Sequence, residues 1–132
     1  MSSIFSKIIA GEIPGRFVYR DDSVVAFLDV APQQKGHTLV VPVKEVNKWT
    51  DLDPETWQHL TEVARKVGKA VIEVFGSERA SFIIAGFDVP HTHIHVFPAN
   101  DMTGYNLGNK VEVTDEEQDE IAERLSACIK RL

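Results

Sequence analysis

The sequence predicts an α+β fold: a mainly antiparallel five-stranded sheet, a long central helix and a C-terminal helix. Three observations carry this reading. The β-rich runs follow one another rather than alternating with helices, so the βαβ rhythm of a parallel sheet is missing. Turn residues sit between neighbouring runs, as hairpin connections require. The helical segments stand at separate places, each with its own start and stop signals.

The first helix is short. Ile4, Phe5, Ile8 and Ile9 recur at helical spacing, Ser3 can cap the start, and Gly11 with Pro14 supplies the stop. Residues 17–20, 24–28 and 38–41 are β-rich. Asp21-Asp22-Ser23 reads as a hairpin turn between the first two, and residues 31–36 form a polar connecting loop. Asp53-Pro54 is a cap followed by proline at the first helical position, and that helix can run to Phe75 before Gly76. Residues 81–85 and 91–97 read as adjacent strands, with 86–90 turning between them. Thr114-Asp115-Glu116-Glu117 is a capping box that opens a final helix to about Arg131.

A chain of 132 residues with no internal repeat or low-complexity tract reads as one domain, 1–132, able to bury about two-thirds of its unfolded surface. Twenty acidic against 14 basic residues leave a formal charge of −6, which offers no electrostatic footprint for nucleic acid. The single cysteine, Cys128, excludes an intrachain disulfide and suits a reducing compartment. Ile4-Phe5 and Ile8-Ile9, split by Ser6-Lys7, make too short an apolar run for a signal peptide or a membrane span. A cytoplasmic location and no membrane partner are expected.

The chemistry is concentrated in Gly86-Phe87-Asp88-Val89-Pro90-His91-Thr92-His93-Ile94-His95-Val96-Phe97-Pro98, where three of the chain's five histidines alternate. On a strand, His91, His93 and His95 share one face while Thr92, Ile94 and Val96 take the other. Alternate residues stand roughly 6.7 Å apart, so the outer pair is separated by about 13 Å. Zinc holds imidazole nitrogen at about 2.0–2.1 Å, so the geometry argues against one metal held by all three. Imidazole, with an unperturbed pKa near 6.5, is largely neutral at pH 7 and can both attack and carry a proton. A nucleophile flanked by orienting and proton-handling partners fits such a row. No Gly-x-Gly-x-x-Gly or Walker motif is present, so any phosphate must be held by the triad strand and its turns.

His-x-His-x-His followed by two apolar residues resembles the signature of the histidine triad nucleotide-binding proteins. Residues 3–14, 25–30 and 36–42 resemble that family's other blocks, and the likeness covers roughly residues 2–100. It implies the same α+β fold, a two-fold homodimer, a purine nucleotide substrate and no cofactor. By position, His93 corresponds to the nucleophile that attacks the α-phosphorus and becomes nucleotidylated, His91 to an orienting partner and His95 to a phosphate-side donor. His37 corresponds to a fourth histidine bonded within the triad. Asp29 corresponds to the acid that accepts the ribose hydroxyls, and Phe5, Ile8, Phe27, Val30, Leu39 and Val89 to apolar walls of the nucleoside site. His59 matches no motif position and reads as an exposed or interface histidine.

Two departures matter. Many relatives carry a longer turn with a Gly-Gln-Ser/Thr-Val run, whereas here Phe87 replaces glutamine and Asp88 stands where a phosphate-binding hydroxyl often sits. An ionised aspartate against a phosphate is repulsive, so Asp88 must point away, cap backbone amides or alter which leaving groups are accepted. Some relatives also hold a structural zinc through Cys-x-x-Cys and two histidines. Here the pair reads Ser3-Ile4-Phe5-Ser6 and the downstream position is Glu45 or Val46, a donor set too hard and too poor in charge for zinc, so no metal is expected.

The 54–75 helix carries an apolar arc of roughly 200°, from Trp57, Leu60, Val63, Ala64, Val67, Ala70, Val71, Ile72, Val74 and Phe75. Such a width calls for cover on more than one side, either within the subunit or across a dimer. Three functions fit: a nucleoside phosphoramidase or nucleotidyl hydrolase, a dinucleoside polyphosphate hydrolase using the same His93, or a nucleotide-sensing module with incidental catalysis.

Overall fold

A computed structural model describes residues 2–132. The elements in chain order are α1 (Ile4–Ile9), β1 (Phe17–Arg20), β2 (Val24–Leu28), β3 (Thr38–Pro42), α2 (Pro54–Phe75), β4 (Arg79–Ile83), β5 (Ile94–Ala99) and α3 (Asp115–Lys130). The strands form one sheet in the order β1-β2-β3-β5-β4, every neighbour antiparallel. The α+β reading therefore holds. Among the described residues no helix is long and apolar enough to cross a membrane.

The helices begin and end where their sequence signals place them. Ser3 accepts from the Ser6 amide, Asp53 accepts from the Thr56 amide ahead of Pro54, and Thr114 with Glu117 closes a reciprocal capping box. Gly76 ends α2 in the left-handed conformation, φ 63°, which costs glycine nothing.

Both faces of the sheet are covered, which is why β2 and β3 are buried at every position. Val24, Ala26, Leu28, Val40, Ile94 and Val96 pack against α2 and α3. The opposite face carries Val25, Phe27, Leu39 and Val41 under Phe5 and Ile8 of α1. The register makes this consistent: Phe27 pairs with Leu39, and Leu39 pairs with His95, so all three share the α1 face.

The fourth and fifth strands lie differently from the sequence expectation. Residues 81–85 were expected as a strand, but β4 starts two residues earlier and stops at Ile83, because Ile83 pairs with His95 and little of the β5 ladder lies beyond it to pair with 84 and 85. Residues 91–97 were expected as a strand, but β5 begins at Ile94. His91 and His93 lie on the lead-in: Pro90 has no amide hydrogen, the His91 amide bonds back to the Val89 carbonyl and the Thr92 amide to the Val46 carbonyl. At the other end β5 runs through Pro98 to Ala99, past its pairing with β3, where β4 alone borders it and a proline is tolerated.

The wide arc of α2 is mostly covered within the chain. Leu60, Val63, Ala64, Val67, Ala70 and Val71 are buried in the core with α3 and the sheet, while Ile72 stays 38% exposed.

Gly36, at the turn into β3, has φ 92°, and a Cβ there would run into the ring of Phe75. Gly36→Ala combines left-handed strain with overpacking and is expected to destabilise by about 2 kcal/mol. Urea unfolding checks this; an unchanged midpoint would mean that Phe75 moves freely.

Candidate active site

Four histidines form a buried row along the α1 face of the sheet. His37 stands two residues before Leu39, the pairing partner of His95, so His37 and His95 are diagonal neighbours with ring centroids 5.1 Å apart. The His93 ring follows at 5.0 Å from His95. Phe5 closes the row edge-on, 4.9 Å from His93 and 5.9 Å from His91. The alternation thus puts the three imidazoles on one side although only His95 belongs to the ladder.

The hydrogen-bond partners assign the ring protons. The Gln33 amide donates to His37 Nδ1 at 3.0 Å, so the His37 proton is on Nε2, which donates to His95 Nδ1 at 2.8 Å. The remaining proton of neutral His95 is therefore on Nε2, a donor available to a phosphate oxygen. His91 Nε2 donates to the Pro42 carbonyl at 2.7 Å, and its Nδ1 accepts from the Ser3 hydroxyl at 2.7 Å. His93 Nδ1 donates to the His91 carbonyl at 2.7 Å, which leaves Nε2 as a bare lone pair. That atom is buried and, among the described residues, has no hydrogen-bond partner.

Burial dominates the electrostatics. It pushes His37 down to about 4, helped by His95 and Lys110 and opposed by Asp29. It likewise pushes His95 down to about 4, helped by His93 and opposed by Asp29 and Asp88. His91 is lowered as well, by burial, against the pull of the Pro42 carbonyl and Glu45. At neutral pH the relay from Gln33 through His37 to His95 is uncharged, as the proton directions above require.

Asp88 sits beside the open lone pair. Its Oδ1 accepts from the Val89 amide at 3.0 Å and lies 3.3 Å from His93 Nε2. Burial would raise this carboxyl, but His93 and the amides of residues 88 and 89 outweigh it and hold the group below the usual carboxylate range. Of the alternatives open for Asp88, capping an amide is met, and pointing away is not.

Among the described residues two sets of side chains come within metal-binding reach: Asp29, His37 and His95, and Asp88, His93 and His95. Both depend on His95, and the proton relay works against each. His37 has both nitrogens engaged, and His95 carries its proton on the nitrogen that a metal would need bare.

The serine pair of the N-terminus meets the histidine row through Glu45. The Ser3 amide and the Ser6 hydroxyl both donate to Glu45 Oε1, at 2.6 and 2.8 Å, and Ser3 Oγ bonds His91. Ser3 therefore serves twice, as helix cap and as anchor of His91. Only the first role is local in sequence, because the second joins residues 88 positions apart.

Of the residues expected around the nucleoside, Phe5, Ile8, Phe27 and Leu39 form one buried cluster, with Val89 packed against it. Val30 stands outside it and is 76% exposed. Asp29 lies at the end of β2 beside the row: Oδ1 accepts from the Ala31 amide, and Oδ2 is 3.8 Å from His37 Nδ1. One oxygen thus holds the turn and the other remains for a ligand. His59 lies elsewhere, its Nε2 2.7 Å from Asp21 Oδ2, tying α2 to the first hairpin.

The HIT domain model matches residues 10–102. The chain is 34% identical over 137 residues to adenosine 5'-monophosphoramidase hnt1 of Schizosaccharomyces pombe, covering 98% of this chain and 100% of that one. Among solved structures, a HIT-like protein of Bartonella henselae superposes with TM-score 0.84 at 35% identity, covering 96% of each chain. A zinc-bound histidine triad family protein of Mycobacterium smegmatis superposes with TM-score 0.83 at 27% identity, covering 99% of this chain and 95% of that one. The family model spans most of the sequence and a relative above 30% identity runs its full length, and on these grounds the chain belongs to the HIT domain family.

Proposed function

We propose that this protein is a nucleotide-binding hydrolase that cleaves a purine nucleoside monophosphate from an amine, a phosphoramidase acting through a nucleotidyl-His93 intermediate. The observation that carries the reading is His93 Nε2: buried, without a hydrogen-bond partner among the described residues, and the lone-pair nitrogen of the neutral ring because the ring proton sits on Nδ1 against the His91 carbonyl. The similarity to a yeast adenosine 5'-monophosphoramidase supports the leaving-group class.

In the first step the Nε2 lone pair forms a bond to the α-phosphorus while the phosphorus–nitrogen bond breaks. Its electron pair goes to the leaving nitrogen, which takes a proton from solvent and departs as an amine. His93 keeps its Nδ1 proton, so the nucleotidyl-imidazole carries a positive charge that the His91 carbonyl stabilises. His95, fed by His37, donates from Nε2 to a nonbridging phosphate oxygen. In the second step water attacks phosphorus, the nitrogen–phosphorus bond breaks with its pair returning to Nε2, and water's proton passes to solvent. Asp29 takes the ribose hydroxyls with its free oxygen, and Phe5, Ile8, Phe27, Leu39, Val30 and Val89 line the base.

A parallel turnover assay on a nucleoside phosphoramidate and a dinucleoside polyphosphate tests the reading. The phosphoramidate should be the better substrate. Turnover of the polyphosphate alone would move the activity to the second class, and nucleotide binding without turnover would reduce the site to a sensing module.

A homodimer belongs to the same proposal. β4 is an edge strand with Phe82 50% exposed, and beside it Ile72 of α2 rims a groove of about 540 Å³ that includes Arg65 and Gly68. An unpaired edge flanked by exposed apolar side chains is a surface for a second copy. Light scattering at micromolar concentration is expected to give twice the 14.8 kDa chain mass, and Phe82→Glu should shift it toward the monomer. A monomer mass for the wild type would end this part of the proposal.

A further inference from the structure

We propose that Asp88 sets the leaving-group specificity of this site: its carboxylate, at the mouth of the His93 position, favours α-phosphate substrates with a cationic leaving group and disfavours those with an anionic one. The inference rests on the nucleotidyl-transfer reading above and adds to it a residue and a charge preference.

The geometry supplies the reason. Asp88 Oδ1 is 3.3 Å from His93 Nε2, and the Asp88 side chain is 66% exposed whereas that of His93 is 1% exposed. With His93 neutral the contact is not a hydrogen bond, since a carboxylate oxygen and a bare imidazole nitrogen are both acceptors; on a protonated His93 it is an ion pair. Oδ1 is tied down by the neighbouring Val89 amide. The phosphorus must come to the place beside Nε2 that this oxygen now occupies, so the carboxylate has to turn aside as substrate enters. Attack from Nε2 expels the leaving group on the opposite side of phosphorus, toward the exposed mouth. The displaced carboxylate then flanks the breaking bond.

A negative charge a few ångströms from that bond acts on whatever leaves. As a phosphorus–nitrogen bond breaks and the nitrogen gains a proton, positive charge grows there and is attracted to Asp88. A phosphate or carboxylate leaving group is repelled instead. Solvent at this exposed position screens the effect, so a factor of a few per unit charge, about tenfold between leaving groups two charges apart, is the appropriate scale. Asp88 is not itself the proton source, because its carboxyl is held below the usual range. It is a specificity-determining group, and its signature is a ratio of rates.

The experiment uses the intact protein and three nucleoside 5'-phosphoramidates with amine leaving groups of equal length, ending in an ammonium, a neutral amide or a carboxylate. The wild type is expected to rank them in that order in kcat/KM, with at least about tenfold between the first and last and a narrower spread at high salt. In Asp88→Asn and Asp88→Ser the spread should fall to within about threefold, and Asp88→Glu should keep the order. Each ratio is taken within one variant, so a loss of folded or active protein cancels. Turnover of all three with no charge order, or the same order in Asp88→Asn, overturns this inference alone. Turnover of none overturns the nucleotidyl-transfer reading and this inference with it.

Discussion

His93→Ala is expected to lose at least about 10²-fold in turnover and all covalent labelling. The expectation follows from the proton inventory of the row. His91 has both ring nitrogens engaged, by Ser3 and Pro42, and His37 has both engaged, by Gln33 and His95. His95 has its lone pair taken by His37 and keeps only a donor. His93 alone offers a bare, buried nitrogen, so no neighbour can take over the attack. Quenched intact-mass measurement during turnover should show one nucleotidyl group added per wild-type chain and none on the variant. A variant with full activity would remove His93 as nucleophile, and labelling that persists on the variant would place the intermediate on another residue.

Acid is expected to unfold this protein by a specific route. His37 and His95 are pushed down to about 4 in the folded chain from 6.5, by burial first. Between those values the unfolded chain binds protons that the folded chain refuses. The stability linked to these rings is therefore complete above about pH 6.5 and is lost as the pH falls toward 4. From pH 7 to pH 5 the pair should cost about 3 kcal/mol, and lowered His91 adds in the same direction. Lowered carboxylates add little in that window: Asp21, lowered from 3.8 to about 2, loses its share mainly as the pH falls through 3.8 toward 2, below pH 5. Urea unfolding at pH 7 and pH 5 measures the difference. His37→Asn, which removes one refusing ring, should flatten the slope even if it lowers stability at pH 7, and equal stability at both pH values would contradict the buried, neutral relay.

Much of this molecule was legible in short stretches of sequence. Helix ends are decided by neighbours a few residues apart, so the signals at Ser3, Asp53-Pro54, Gly76 and Thr114 to Glu117 sufficed. The alternation of His91, His93 and His95 placed the rings together, because successive side chains in extended backbone point to opposite sides whether or not a ladder forms. The first three strands stood out as β-rich runs with turn residues between them, and the same reasoning identified an α+β chain. The resemblance in the triad supplied the residues of the row and His37.

What the sequence left undetermined depends on groups far apart in the chain. Strand ends are set by where a partner strand stops, which is why β4 and β5 lie off their expected positions, and why His91 and His93 sit before the ladder. The cover on α2 required knowing where α3 packs. Above all, a ring's proton is assigned by its partners: Ser3 and His91 are separated by 88 residues, and His37 and His95 by 58. Residue types alone determined that this chain has imidazoles in a row. Only the tertiary structure decided which nitrogen is bare, because a lone pair becomes available when every competing donor and acceptor nearby is already engaged.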